Sequence, residues 1–125
     1  MKKTIISRAI KEAKSSDVVR GKVGAVLFTD QGHILTSSHN VILLGGLPKK
    51  TFTIHAEQYL LSKAFRLKAI ERFKKLNVLV LRYKPGTKKL ANAKPCKNCR
   101  FLLKKAGVRV FYTDDLGQIQ EMNHE

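Results

Sequence analysis

The chain of 125 residues is 43% hydrophobic and 27% charged, which suits one globular domain over residues 1–125 and excludes a chain too polar to build a core. Its 25 Lys and Arg against 9 Asp and Glu leave a formal net charge of +16, which fits a polyanionic partner as well as a solvated, lysine-rich surface. No apolar run reaches the about 18 residues of a membrane span, and Arg8, Lys11 and Glu12 break the N-terminal apolar stretch too early for a signal peptide, so a cytoplasmic setting is expected.

Residues 1–14 place Ile5, Ile6, Ala9, Ile10 and Ala13 on one helical stripe with Lys and Arg opposite. Residues 18–40 read as a β-hairpin. Val23 to Phe28 form its first strand, Asp30-Gln31-Gly32 the turn, and Ile34 to Ser37 the start of the return. Residues 41–52 read as a loop, with Gly45, Gly46 and Pro48 as breakers. A helix is predicted from an N-cap at Thr53 to about Leu76, with Ala56, Leu60, Ala64, Leu67 and Ile70 on its buried stripe and Asn77 ending it.

Val78 to Tyr83 is a nearly all-apolar strand of the kind covered on both faces. A lysine-rich loop follows over 84–94. Pro95 then opens a short helix as its first residue, and Gly107 caps it. Val108 to Tyr112 is a strand, 114–117 a turn, and 118–122 a short final strand that pairs antiparallel because no crossover helix fits between. The order α-β-β-α-β-α-β-β predicts a layered α/β sandwich.

Two short motifs carry the chemistry. His55-Ala56-Glu57 stands at one predicted helix start, and Pro95-Cys96-Lys97-Asn98-Cys99 at another. Cys96 and Cys99, three apart, share one face of a first helical turn, where the positive helix terminus favours thiolates. A disulfide between them would close too small a loop to stabilise the fold much. With the imidazole of His55 they make a soft N/S set suited to zinc. Three protein ligands leave a fourth position for water, the pattern of a catalytic site. Glu57, two residues from His55, is placed to move the protons that a hydrolytic reaction requires.

H-x-E paired with P-C-x-x-C resembles the zinc nucleoside and nucleobase deaminases of the cytidine deaminase superfamily. The likeness extends over most of the chain, with Val23-Gly24-Ala25-Val26 similar to the family's first core strand. It implies a three-layer α-β-α sandwich, with a central mixed sheet of four or five strands and about three helices. It implies one Zn2+ per chain on His55, Cys96 and Cys99, with Glu57 as proton shuttle. It also implies conversion of a cytosine base to uracil with release of ammonia. Asn40 matches a position that contacts the sugar in many members. Ala56 and Pro95, inside the motifs, are assigned to substrate binding. So is Phe52, because bases in this chemistry sit against aromatics, although packing in the core accounts for it equally well. Family members are often oligomers whose neighbours close the pocket, and a homo-oligomer is the matching expectation.

Two subfamily patterns are mixed here. The terminal hairpin is like that of free-cytidine deaminases, yet those commonly use cysteine where His55 stands. Three readings therefore stay open: a deaminase of a cytosine nucleoside or nucleotide, the same chemistry on cytosine or adenine within RNA or single-stranded DNA, and a non-catalytic, zinc-stabilised nucleic-acid-binding module. The last would need a fourth ligand such as His39 or His33. Arg82, Lys84, Lys88, Lys89, Lys94, Lys97 and Arg100 crowd the approach to the second motif, where they could steer a phosphate or track a strand backbone.

Overall fold

The computed structural model describes residues 1–18, 21–44, 51–73 and 75–122. Helix α1 (Lys3–Lys14) buries Ile5, Ala9 and Ala13, spaced four apart on one face, as the stripe requires. Strands β1 (Lys22–Thr29) and β2 (Ile34–His39) form the expected antiparallel hairpin, with Gly24 opposite His39 and Phe28 opposite Ile34.

Two expectations give way in the next stretch. Val41–Leu44 and Thr51–Ile54 are strands, β3 and β4, paired antiparallel as a separate two-stranded sheet. The runs Val-Ile-Leu-Leu and Thr-Phe-Thr-Ile have the β-branched and aromatic character of strands. The Gly and Pro breakers at 45–48, which suggested a loop throughout, lie outside the described residues. Thr53 is consequently part of β4 and caps no helix. Helix α2 (Ala56–Arg66) starts at an N-cap formed by His55, whose N–H donates to the Gln58 side chain at 3.1 Å.

The long second helix is also shorter than its stripe suggests. It stops at Arg66, Lys68 turns left-handed at φ 54°, and one further turn, α3 (Ala69–Arg72), follows. Leu67, expected in the buried stripe, is 52% exposed. Asn77 ends no helix. It lies buried in β5 (Leu76–Lys84), where its amide donates to Asp30 at 2.8 Å. The lysine-rich stretch contains a short strand, β6 (Lys89–Ala91), and leads to helix α4 (Lys97–Ala106). Cys96 is the N-cap of α4, so Pro95 precedes the helix and is not its first residue. Gly107 ends α4 in a left-handed conformation, as expected. Strands β7 (Arg109–Thr113) and β8 (Ile119–Glu121) complete the order.

The main sheet runs β2-β1-β5-β7-β8, and β6 pairs with the last residues of β5. It is mixed. β5 and β7 are parallel, with α4 supplying the crossover such a pair needs, and every other pairing is antiparallel. Side chains alternate across it, which creates two cores. Val26, Phe28, Leu79 and Leu81 pack against α1, whereas Ala25, Leu27, Val78 and Val80 pack against Leu60 and Ala64 of α2 and Leu103 of α4. The result is the expected three-layer α-β-α sandwich. Among the described residues no helix is long and apolar enough to cross a membrane.

Candidate metal centre and active-site pocket

The layer holding α2 and α4 decides where the chemistry sits. Both helices cover the same face, and both present their first residues to one end of the sheet. At that end β1 begins and β2 and β5 finish.

Two buried hydroxyls fix the approaches. Ser38 on β2 donates to the carbonyl of Ala56 at 2.7 Å, which locks the start of α2 between His55 and Glu57. Thr113, fully buried at the end of β7, donates to the carbonyl of Ala91 at 2.6 Å, and its own carbonyl accepts from the N–H of Ala93 at 2.8 Å. That clamp aims the segment entering the second motif. Sequence reasoning passed over both residues. A hydroxyl amid a strand is a weak signal until its burial is known.

His55 Nδ1 lies 3.3 Å from Cys99 Sγ and 3.7 Å from Cys96 Sγ, and the three ligand atoms all fall within 4.8 Å of one another. Zinc bond lengths in a tetrahedron separate N from S by roughly 3.6 Å, and the two observed distances bracket that value. Burial, then the charge of Glu57 and contact with Cys96, push the Cys99 thiol well up from its ordinary range. A dication between the sulfurs opposes that trend and favours the thiolate. Among the described residues no other group of His, Cys, Asp and Glu converges in this way. His39, one candidate for a fourth ligand, instead points its Nδ1 at Glu12, 2.7 Å away. His33 is not part of the cluster.

Glu57, the second residue of α2, is only 5% exposed. Burial pushes its carboxyl up, against the opposing influence of its own backbone hydrogen bond, His55 and Cys99. Glu57, His55 and Cys96 line a cavity of about 410 Å3 together with Asn40, Ala56 and Arg82. That volume falls within the range that holds small-molecule ligands.

The substrate-binding expectations divide. Asn40 and Ala56 line the cavity. The Asn40 amide accepts from the Val23 N–H at 2.9 Å and donates to the Gly21 carbonyl at 2.8 Å, so it also ties the end of β2 to the start of β1. Pro95 is buried beside the cysteines and is not part of the cavity wall. Phe52 belongs to β4, and its side chain lies outside the described residues. Tyr83, near the end of β5, packs into the opposite core with Lys14 over its ring. Of the basic residues expected to crowd the approach to the second motif, Arg82 on β5 and Lys94 line the cavity.

Known proteins resemble this chain in family and in fold. The family model described as the cytidine and deoxycytidylate deaminase zinc-binding region matches residues 1–114. No curated protein sequence matches the chain. Among solved structures, a cytidine deaminase from Burkholderia pseudomallei superposes with a TM-score of 0.67 at 21% identity, covering 99% of this chain and 94% of that one. A dCMP deaminase from the cyanophage S-TIM5 gives 0.63 at 23% identity over 92% and 86% of the two chains. A cytidine deaminase from Mycobacterium tuberculosis gives 0.58 at 19% identity over 86% and 81%. The structural likeness speaks to the fold, and the cluster of His55, Cys96 and Cys99 suits one Zn2+ per chain.

Proposed function

The chain belongs to the cytidine and deoxycytidylate deaminase family, and from that premise we propose that it is a hydrolytic deaminase acting on the cytosine of a nucleoside or nucleotide. Water and the cytosine base give the uracil base and ammonia. One observation carries this reading: a His-Cys-Cys cluster and a buried glutamate meet at a single cavity, whose wall includes His55, Cys96 and Glu57.

His55 Nδ1 and the sulfurs of Cys96 and Cys99 would hold zinc. When bound, zinc supplies a Lewis acid that makes water nucleophilic near neutral pH. Glu57 accepts a proton from the attacking water and passes it to the ring nitrogen beside C4; it then takes the second proton from the oxygen now bonded to C4 and gives it to the amine, so that the C4–N bond breaks, ammonia leaves and the C4 carbonyl of uracil forms. Its burial suits both halves of that task, because a carboxyl out of water exchanges protons with the substrate and not with solvent. Ala56, between the ligand and the shuttle, has its carbonyl fixed by Ser38 and so offers the substrate a rigid wall. Asn40 uses one N–H and one lone pair on backbone partners and keeps one of each for a ligand.

A second reading, the same chemistry on a base within RNA or single-stranded DNA, is favoured by the +16 charge and by Lys94 and Arg82 at the cavity. The non-catalytic module finds no support in the cluster, which has three members and a glutamate poised beside them.

The test is ammonia release by the zinc-loaded protein. The panel holds cytidine, deoxycytidine, CMP, dCMP, adenosine, RNA and single-stranded DNA. Release from a cytosine nucleoside or nucleotide is expected, with Glu57→Gln silent. Release only from polymers would transfer the assignment to the second reading. No release from any substrate by protein with full zinc occupancy would overturn both.

A further inference from the structure

We propose that Arg82 is a phosphate receptor inside the cavity, so that the favoured substrate carries a phosphate beside its cytosine nucleoside. The inference rests on the deaminase reading for the identity of the base, but not for the existence of the subsite.

Arg82 sits near the end of β5, in register with Val23 on β1 and Ala91 on β6. Its side chain lines the cavity that holds Glu57 and Asn40. Its Nε is buried and has no hydrogen-bond partner among the described residues. A buried donor left unpaired is destabilising, more so when charged, so the guanidinium gains from an acceptor that arrives with the ligand.

No acid on the cavity wall is placed to serve. Glu57 is the one carboxylate among the lining residues, and it is engaged with Cys99. Neither ion pair among the described residues includes Arg82. Lys94 lines the same cavity and adds a second positive charge.

The guanidinium lies against Gly21, where an added side-chain carbon would meet it in ordinary van der Waals contact at 3.4–3.5 Å. A planar guanidinium matches two phosphate oxygens at once, which a lysine cannot do. The anion that a cytosine-bearing ligand brings is a phosphate, either the terminal group of a nucleotide or the diester of a strand.

The experiment compares deoxycytidine, dCMP and a single-stranded oligonucleotide with one cytosine, using zinc-loaded wild type, Arg82→Gln and Arg82→Lys. Turnover is measured, and binding of the same three ligands is measured by calorimetry in the Glu57→Gln background. Wild type should favour a phosphate-bearing substrate over deoxycytidine by about 10- to 100-fold in kcat/KM, chiefly through KM. In Arg82→Gln that ratio should collapse toward one, and Arg82→Lys should restore part of it. Collapse on dCMP identifies a terminal phosphate, whereas collapse on the oligonucleotide alone identifies the strand backbone. A ratio unchanged by Arg82→Gln overturns the proposal, as does wild type that treats all three ligands alike. If nothing is turned over, an Arg82-dependent affinity for dCMP above deoxycytidine upholds the subsite while the deaminase reading falls. Equal affinities then overturn the subsite too.

Discussion

Gly24 of β1 lies directly beneath Ala9 of α1, so close that a side-chain carbon built on it would stand 2.2 Å from the Ala9 carbonyl oxygen and 2.8 Å from the Ala13 N–H nitrogen. The helix can approach the sheet this closely only because position 24 has no side chain and positions 9 and 13 have small ones. The short apolar face of α1 is thereby brought into full contact with Val26, Leu79 and Leu81.

Gly24→Ala should therefore destabilise the protein by about 1–3 kcal/mol, since the backbone of α1 must shift to admit a methyl group. Urea unfolding of the two proteins checks it. An unchanged midpoint would mean that α1 yields without cost.

Zinc and catalysis should separate by mutation. Glu57→Gln keeps the hydrogen-bonding shape but cannot carry a proton, so it should retain zinc and lose turnover by about 100-fold or more. Cys96→Ser removes a thiolate and should lose zinc itself. Metal content by mass spectrometry, read beside ammonia release, distinguishes the two. Zinc loss in the Glu57 variant would place that residue among the ligands.

Leu103 on α4 is fully buried, one helical turn beyond Cys99, and packs with α2 against the sheet. Leu103→Ala should cost about 2–5 kcal/mol in stability. Because α4 carries Cys99 and is capped by Cys96, zinc affinity should fall as well. Competition with a chromogenic chelator measures the second effect. Lost stability with undiminished affinity would show that the metal motif is held independently of the helix core.

Acid sensitivity should trace in part to Glu12. Burial raises its carboxyl pKa, but hydrogen bonds from His39 and Ser37 outweigh that and hold it below the ordinary glutamate range. A carboxylate lowered by folding adds stability that is present above its unfolded pKa and lost as pH falls through its folded one. Glu12→Gln should thus be less stable than wild type at neutral pH, and the difference should shrink as the pH drops below about 4, near the unfolded value. Thermal melts across pH 3–8, on the order of one unit apart, reveal the convergence. A constant difference would mean that the carboxylate's charge contributes nothing.

The first helix, the hairpin of β1 and β2, the strands around Val78 and Val110 and the cap at Gly107 were legible because each is encoded by local periodicity or turn chemistry. The end of α2 was not. A helical stripe continues through Leu67 and Ile70 in the sequence, but Lys68 turns left-handed and Leu67 is left in solvent. Residues 41–44 and 51–54 were hidden for the opposite reason. Strong breakers between them drew attention away from two short strands that stabilise each other only by pairing.

The sequence by itself determined the chemistry available, because two thiols three apart, an imidazole and a carboxyl two residues beyond it leave few other uses for that donor set. Only the tertiary structure decided that they meet. His55 is separated from Cys96 by 41 positions and from Cys99 by 44, a distance no local pattern spans. The packing of α2 and α4 on one face of the sheet closes that gap, and the same packing leaves Arg82 facing the cavity and turns His39 away to Glu12. Residue types set which bonds can form, whereas burial and the geometry of the layers select which of them do.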